Sequence, residues 1–267
     1  MNVADLQNFL PAHLAKTLAG CVWQEILVGC SGAQVFWLTS TDQTTFYLKT
    51  VSRGLSNSLL PEKSKLEWLN NKLPVPKVLE FAENESTEFL LLSEIKGKEA
   101  SDESFKENKR ETIRELSSGL QMIHSVPTDE CPFSARLDEK VEAARKRLKS
   151  GLIDESDFDE IRQGRTAEHL FQELLETMLE TTPDKEDLVF THGDFCLPNI
   201  ILENGKLSGF IDWGNAGVAD KYQDIALIAR SIESNFGAEW TKIFFEFYEI
   251  EPDWEKIKFY QLLDEFF

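Results

Sequence analysis

The sequence is poor in the arrangements that would give cysteine a function. Its four cysteines, Cys21, Cys30, Cys131 and Cys196, are scattered, with no C-x-x-C pair and no grouping with the four histidines. That spacing excludes a zinc ribbon or finger and a disulfide framework, and leaves buried free thiols as the expectation. The opening stretch MNVADLQNFLPAHLAKTLAG lacks a basic leader followed by an apolar core. No apolar run approaches the length of a membrane span, so neither a secretory signal nor a membrane helix is expected, and the chain is placed in the cytoplasm. Positive charge is also scarce: 28 lysines and arginines face 47 aspartates and glutamates, for a net charge of -19. Such a balance argues against nucleic acid and anionic membrane as partners and favours a cationic ligand. There is no internal repeat and no low-complexity linker.

What is present reads as α+β. WQEILVGC, AQVFWLTS and TTFYLKTV are rich in β-branched and aromatic residues and are separated by turn chemistry, which predicts an antiparallel meander. A helix is predicted from about Leu60 to Leu69, with Pro61 in its first turn, followed by strands in PVPKVLEFAE and STEFLLLSEI. Beyond IKGKEAS the chain turns mostly helical. ETIRELSSGLQMIHSV places Ile113, Leu116, Leu120 and Ile123 on one face, and TAEHLFQELLETML, YQDIALIARSI and the terminal KIKFYQLLDEFF are read as further helices, interrupted by a pair of short strands. The expected division is a lobe over 1–97, with a hinge near 93–97, and a second lobe over 98–267.

Between the strand-like runs DLVF and IILENG lies the octet HGDFCLPN, His192 to Asn199. Polar residues on a loop between buried strands are where chemistry usually sits. Thirteen residues after Asn199, Asp212 ends another apolar strand in GFID. An aspartate, an asparagine and a second aspartate offer the hard oxygen ligands that Mg²⁺ prefers, with room left for waters and phosphates. Protein kinases use this pattern, with an aspartate five residues before a metal-binding asparagine and a strand-end aspartate beyond. Here Gly193 replaces the arginine of the kinase H-R-D, which points to a small-molecule kinase.

The first third supplies the remaining parts in order. Lys49, in FYLK, is placed to reach the α- and β-phosphates, and a helix glutamate should pair with it. Glu62 and Glu67 are the candidates, and Glu62 is favoured because it shares a helical face with Leu66 and Leu69. The turn GCSGA, with Ser31 at its centre, stands where a phosphate-covering loop belongs but lacks the full glycine pattern. Ser93 to Gly97 follow the fifth strand as the expected adenine hinge. His192 is read as ordering its loop, and His124 as a core or capping residue.

The chain resembles the aminoglycoside 3′-phosphotransferases, the kanamycin and neomycin kinase type of antibiotic-resistance kinases, over nearly its full length. KLPVPKV, IHS followed by CPF, THGDFCLPNI, GFID, GVADKYQDIAL and the terminal LLDEFF carry the resemblance, and the last two are the most specific. It implies a protein-kinase-like bilobal fold that uses ATP or GTP with Mg²⁺ to phosphorylate a cationic aminoglycoside. It further implies that Asp194 is the catalytic base, Asn199 and Asp212 bind metal, and Lys49 and Glu62 form an ion pair. Tyr47 would stack on adenine, Ser93 and Ile95 would offer it hinge backbone groups, and Ser31 would lie at the nucleotide. On the acceptor side it implies Asp157, Asp159, Glu160, Arg230, Asp264, Glu265 and the Phe267 carboxylate.

The sequence departs from the family at WGN, where Asn215 stands in place of a usual arginine, and at Ser231 and Ser234, where related enzymes often carry acids. Two alternatives stand beside the leading reading: a kinase for another cationic or hydroxylated metabolite, choline-kinase-like, and a nucleotide-binding regulator without catalysis. The presence of Lys49, Asp194, Asn199 and Asp212 together weighs against the latter.

Overall fold

The computed structural model describes residues 3–26, 33–53, 58–181 and 187–267. The chain forms two compact units, Met1–Lys96 with Ser208–Gly214, and Gly97–Leu207 with Asn215–Phe267. The sequence reading gave 208–214 to the second lobe; in the structure this segment, which carries Asp212, groups with the first.

In the first unit, helices α1 (Val3–Phe9) and α2 (Ala12–Thr17) precede strands β1 (Val22–Ile26), β2 (Gln34–Thr39) and β3 (Thr45–Ser52). Helix α3 (Leu60–Leu69) and strands β4 (Val78–Glu83) and β5 (Thr87–Ser93) complete it, and the sheet runs β1-β2-β3-β5-β4, antiparallel throughout. One sheet face, with Phe36, Leu38, Leu48, Phe89 and Leu91, is sealed by Leu6, Leu14 and Leu18 from the first two helices. Those helices went unread because each is too short to display a full apolar stripe. The run Phe89-Leu90-Leu91-Leu92 is buried on both sheet faces, as a continuous apolar stretch in a central strand should be. Because side chains alternate along a strand, the burial of Leu48 on the helix-covered face turns Tyr47 and Lys49 together to the opposite one.

The second unit begins with strand β6 (Lys98–Glu99), a 3₁₀ turn at Glu103–Asn108 and helices α4 (Lys109–His124), α5 (Leu137–Lys149) and α6 (Ala167–Thr181). Strands β7 (Leu188–Thr191), β8 (Ile200–Glu203), β9 (Lys206–Phe210, whose last three residues group with the first unit) and β10 (Gly217–Asp220) follow, then helices α7 (Tyr222–Phe236), α8 (Ala238–Tyr248) and α9 (Trp254–Asp264). The predicted face of α4 is fully buried at Ile113, Leu116, Leu120 and Ile123. Helix α7 is buried almost all round, as the central helix of a packed unit must be.

Three expectations are corrected. More than one pair of strands interrupts the helices: β7 pairs with β10, and β6 with β8. GVAD, at Gly217–Asp220, has too little apolar content to advertise a strand. Helix α9 ends at Asp264, after which the chain tightens into a last turn through Phe267 N–H to the Asp264 carbonyl at 3.0 Å. Cys21, Cys131 and Cys196 are free thiols but only partly buried. Among the described residues no helix is long and apolar enough to cross a membrane.

Candidate active site

Strand β3 and helix α3 bring Lys49 and Glu62 together. Lys49 Nζ lies 2.7 Å from Glu62 Oε1 and 3.2 Å from Asp212 Oδ1, all within the first unit. Glu62 is on the buried face of its helix with Leu66 and Leu69, 5 % exposed, whereas Glu67 pairs at the surface with Lys63. Burial opposes the ammonium charge of Lys49, yet the two carboxylates raise its pKa above the ordinary lysine value. Asp212 has a left-handed backbone, φ 63°, which aspartate tolerates better than most residues. The preceding strand is locked in the same unit by Phe210 N–H to the Pro74 carbonyl, and the Trp213 indole returns to the Phe210 carbonyl. Ser93 has committed its amide to the Lys77 carbonyl, and its hydroxyl accepts from the Lys77 amide. Ile95 lies past the strand, outside the ladder. Ser31 and the GCSGA turn up to Gly32 lie outside the described residues.

The octet of the second unit is bound by its own side chains and by α7. Asn199 is 8 % exposed; its Nδ2 donates to both the carbonyl and the carboxylate of Asp194. Among the described residues its amide oxygen accepts no hydrogen bond, so it stays free as a ligand. His192 is fully buried and its Nδ1 accepts from the Asp194 amide at 3.3 Å, in keeping with a loop-ordering role. Gly193 has φ 83°, and a Cβ there would collide with the Asn215 carbonyl, so the kinase arginine has no counterpart here for a steric reason.

Asp224 was missed by the sequence reading. It is fully buried on α7 and accepts from the amides of His192 at 2.8 Å and Gly193 at 2.7 Å, while His124 Nε2 lies 3.1 Å away. His124 Nδ1 meets the Tyr248 hydroxyl at 2.6 Å, so a buried chain runs from Tyr248 to the loop. Burial works against the Asp224 charge, but these donors and the charge of His124 hold its pKa below the ordinary aspartate value. The signal was available: an aspartate in the apolar helix YQDIALIARSI has to be paired if it is buried. Ser231, one of the departures, accepts from the Leu197 amide at 3.0 Å and so also holds the octet.

The acidic residues expected on the acceptor side fall into two groups. Asp159, Arg230, Asp264 and Glu265 come together: Arg230 pairs with Asp159 at 3.2 Å and with Asp264, and lies 3.8 Å from Glu265. Arg162, 6 % exposed and unremarked in the sequence, joins Asp159 at 3.1 Å and Glu265 at 3.0 Å. Of the five acids in the run IDESDFDE, Ile153 to Glu160, Asp159 is the one met by these guanidinium groups. Asp154 and Glu155 are spent on backbone amides, of Ser156 and Ala167, and Asp157 and Glu160 are exposed. Phe266, fully buried, anchors the tail; Phe267 is 46 % exposed, and its backbone oxygen accepts from Arg147 at 3.1 Å.

In the first unit Asp212 offers a carboxylate, and in the second Asn199 offers an amide oxygen, each an oxygen donor of the kind a hard divalent cation takes. No group of three or more His, Cys, Asp or Glu side chains that could hold a metal occurs among the described residues. Mg²⁺ needs none, since it is commonly bound through one or two carboxylates with waters and substrate phosphates.

Comparison with known proteins gives one answer. Residues 23–260 match the phosphotransferase enzyme family. An aminoglycoside 3′-phosphotransferase of Niallia circulans is 39% identical, over 90% of either chain. The crystal structure of an aminoglycoside-3′-phosphotransferase of type VIII superposes with a TM-score of 0.85 at 32% identity, covering 96% of this chain and 97% of that one. The aminoglycoside phosphotransferase APH(3'')-Id of Streptomyces rimosus, solved with ADP and streptomycin, gives a TM-score of 0.85 at 25% identity over 98% of each chain.

Proposed function

The chain belongs to the aminoglycoside 3′-phosphotransferase family, and on that premise we propose that it is a kinase transferring a nucleoside triphosphate's γ-phosphoryl group to the 3′-hydroxyl of aminoglycosides, so conferring resistance. The observation that carries the nucleotide half is the Lys49 ammonium held at 2.7 Å by the buried carboxylate of Glu62. A lysine so fixed presents its charge to phosphate oxygens without having to be ordered at the moment of binding. Tyr47, two residues earlier on the same strand face, supplies an aromatic surface for the base, and Ile95 a hinge amide. Ser93 can contribute only through its carbonyl, because its N–H is taken.

In this reading Asp194, fixed by Asn199 and His192, orients the acceptor hydroxyl and takes its proton as the oxygen attacks phosphorus. The transition state is loose, so positioning and electrostatics carry most of the rate. Asp212 and Asn199 are the residues that would hold Mg²⁺, which supplies charge neutralisation on the phosphates. The acids around Arg230 and Arg162, with Asp157 and Glu160 exposed beside them in sequence, are assigned to the acceptor's ammonium groups. ATP or GTP serves as donor, and the cytoplasm, where both are available, is the proposed compartment.

A coupled ADP-release assay over aminoglycosides with and without a 3′-hydroxyl, choline and simple amino sugars tests the reading. Turnover is expected only with aminoglycosides that carry the 3′-hydroxyl. Turnover with choline or amino sugars alone would replace the aminoglycoside by another cationic acceptor. Nucleotide binding without turnover on any of them would make the protein a regulator.

A further inference from the structure

Helix α5 carries a lysine that this reading leaves unused. Lys140 Nζ lies 3.5 Å from the carbonyl of Gly193, the residue before Asp194, and 5.5 Å from the centre of the Phe267 ring. It lines a cavity of about 10 Å³ together with Gln223, Tyr260, Asp264 and Phe267, space for a single water. One group there lacks a partner and another is only partly satisfied. Gln223 is 4 % exposed, and its side-chain nitrogen makes no hydrogen bond among the described residues. The lysine, with three donors to place, makes one long hydrogen bond. Burial draws the Lys140 pKa down, while Asp264, Asp224 and Asp194 pull it back up.

The peptide between Gly193 and Asp194 sets the direction of the Asp194 side chain. Its N–H is held by His192 Nδ1, and its carbonyl faces Lys140. The preceding two amides are held by Asp224. Gly193 has no side chain through which packing could fix it, so these polar contacts are what restrain the φ and ψ of this residue.

We propose that Lys140 is a positioning residue for phosphoryl transfer: its ammonium ties the Gly193 carbonyl to the C-terminal segment at Asp264 and Phe267, with one water bridging Lys140, Gln223 and Asp264. The tie rests on the assignment of Asp194 as base. It joins the residue that receives the proton to the segment assigned to the acceptor's amines, so that seating of the acceptor and aim of the base depend on one cation.

The test compares Lys140→Met, Lys140→Arg and Asp194→Ala with the wild type in steady-state kinetics, with melting temperatures for each. Lys140→Met should lower kcat at least about tenfold with nucleotide KM within about twofold, since misaiming a reacting group costs rate rather than nucleotide binding. Lys140→Arg, which keeps the charge, should recover most of the loss. Equal impairment of the Met and Arg variants would make the side chain a packing element and overturn the proposal. Should the Met variant fail to fold, Lys140→Gln carries the same criterion. An inactive Asp194→Ala beside a Lys140→Met (or Gln) variant with kcat within twofold of wild type sinks the Lys140 proposal alone. An Asp194→Ala variant with wild-type rate sinks the functional reading first.

Discussion

The side-chain amide of Asn199 donates to the carbonyl and to the carboxylate of Asp194, both at 2.9 Å. The residue assigned to metal thereby also aims the residue assigned as base. Asp194→Ala is expected to abolish phosphoryl transfer while largely sparing nucleotide affinity. Asn199→Ala should lose at least roughly a hundredfold in kcat, because it removes an oriented contact and a ligand together. Single-turnover kinetics with labelled ATP decide; half of the wild-type rate in either variant refutes the corresponding role.

Asp224 predicts a coupling of stability to acid. Its folded pKa lies below the ordinary aspartate value of 3.8, so its stabilisation is complete above that value and drains away as pH falls through the lowered pKa. Asp224→Ala leaves two buried amides unpaired, at about 1–3 kcal/mol each. Denaturant melts at pH 6 should place the variant well below wild type. At pH 3 and lower the gap should narrow, and a gap independent of pH counts against the assignment.

Removing Glu62 separates the two halves of the reaction. Glu62→Ala frees Lys49 to lean on Asp212, the remaining carboxylate at 3.2 Å. Nucleotide KM should rise about tenfold or more, the worth of a lost charge-assisted contact, with a higher magnesium requirement. Aminoglycoside KM should stay within about twofold, since the acceptor-side acids belong to the other unit. Isothermal titration with ADP at several Mg²⁺ concentrations measures the first effect directly.

Glu265 gives a pH effect of the opposite sign. Burial, with Asp159 beside it, pushes its pKa up from 4.5 to about 7. The folded state then binds more protons than the unfolded one between those values, so stability falls as pH rises through that window. Melting temperatures at pH 5 and pH 8 should drop more for wild type than for Glu265→Gln. Equal drops would mean that Arg162 and Arg230 fully compensate the charge.

The parts of the molecule that announce themselves in sequence are those in which one residue type has one use. Lys49 stands as a lone charge inside an apolar strand, Asp194, Asn199 and Asp212 stand beside the ends of others, and their spacing is the message. The face of α4 was legible for the same reason, since its four buried residues repeat at helical spacing. Arg162 and Lys140 were not, because a cation among many charges on a soluble chain looks like solvated surface until its burial is known. Phe266 and Phe267 look alike in sequence but differ in burial. An aromatic at the end of an apolar run suggests an anchor, yet Phe266 fills the interior and its neighbour remains half outside. Asp224 failed by position, in a motif whose informative residues were taken to be its apolar ones.

The crowding of Gly193 against the Asn215 carbonyl has a consequence for control. Protein kinases are switched by arginine–phosphate pairs that form when a loop is modified. A position that admits no side chain cannot supply such an arginine. The octet is held instead by Asp224, Ser231 and Asn199, so the aim of this loop depends on contacts built into the fold and not on an arginine–phosphate pair at this position.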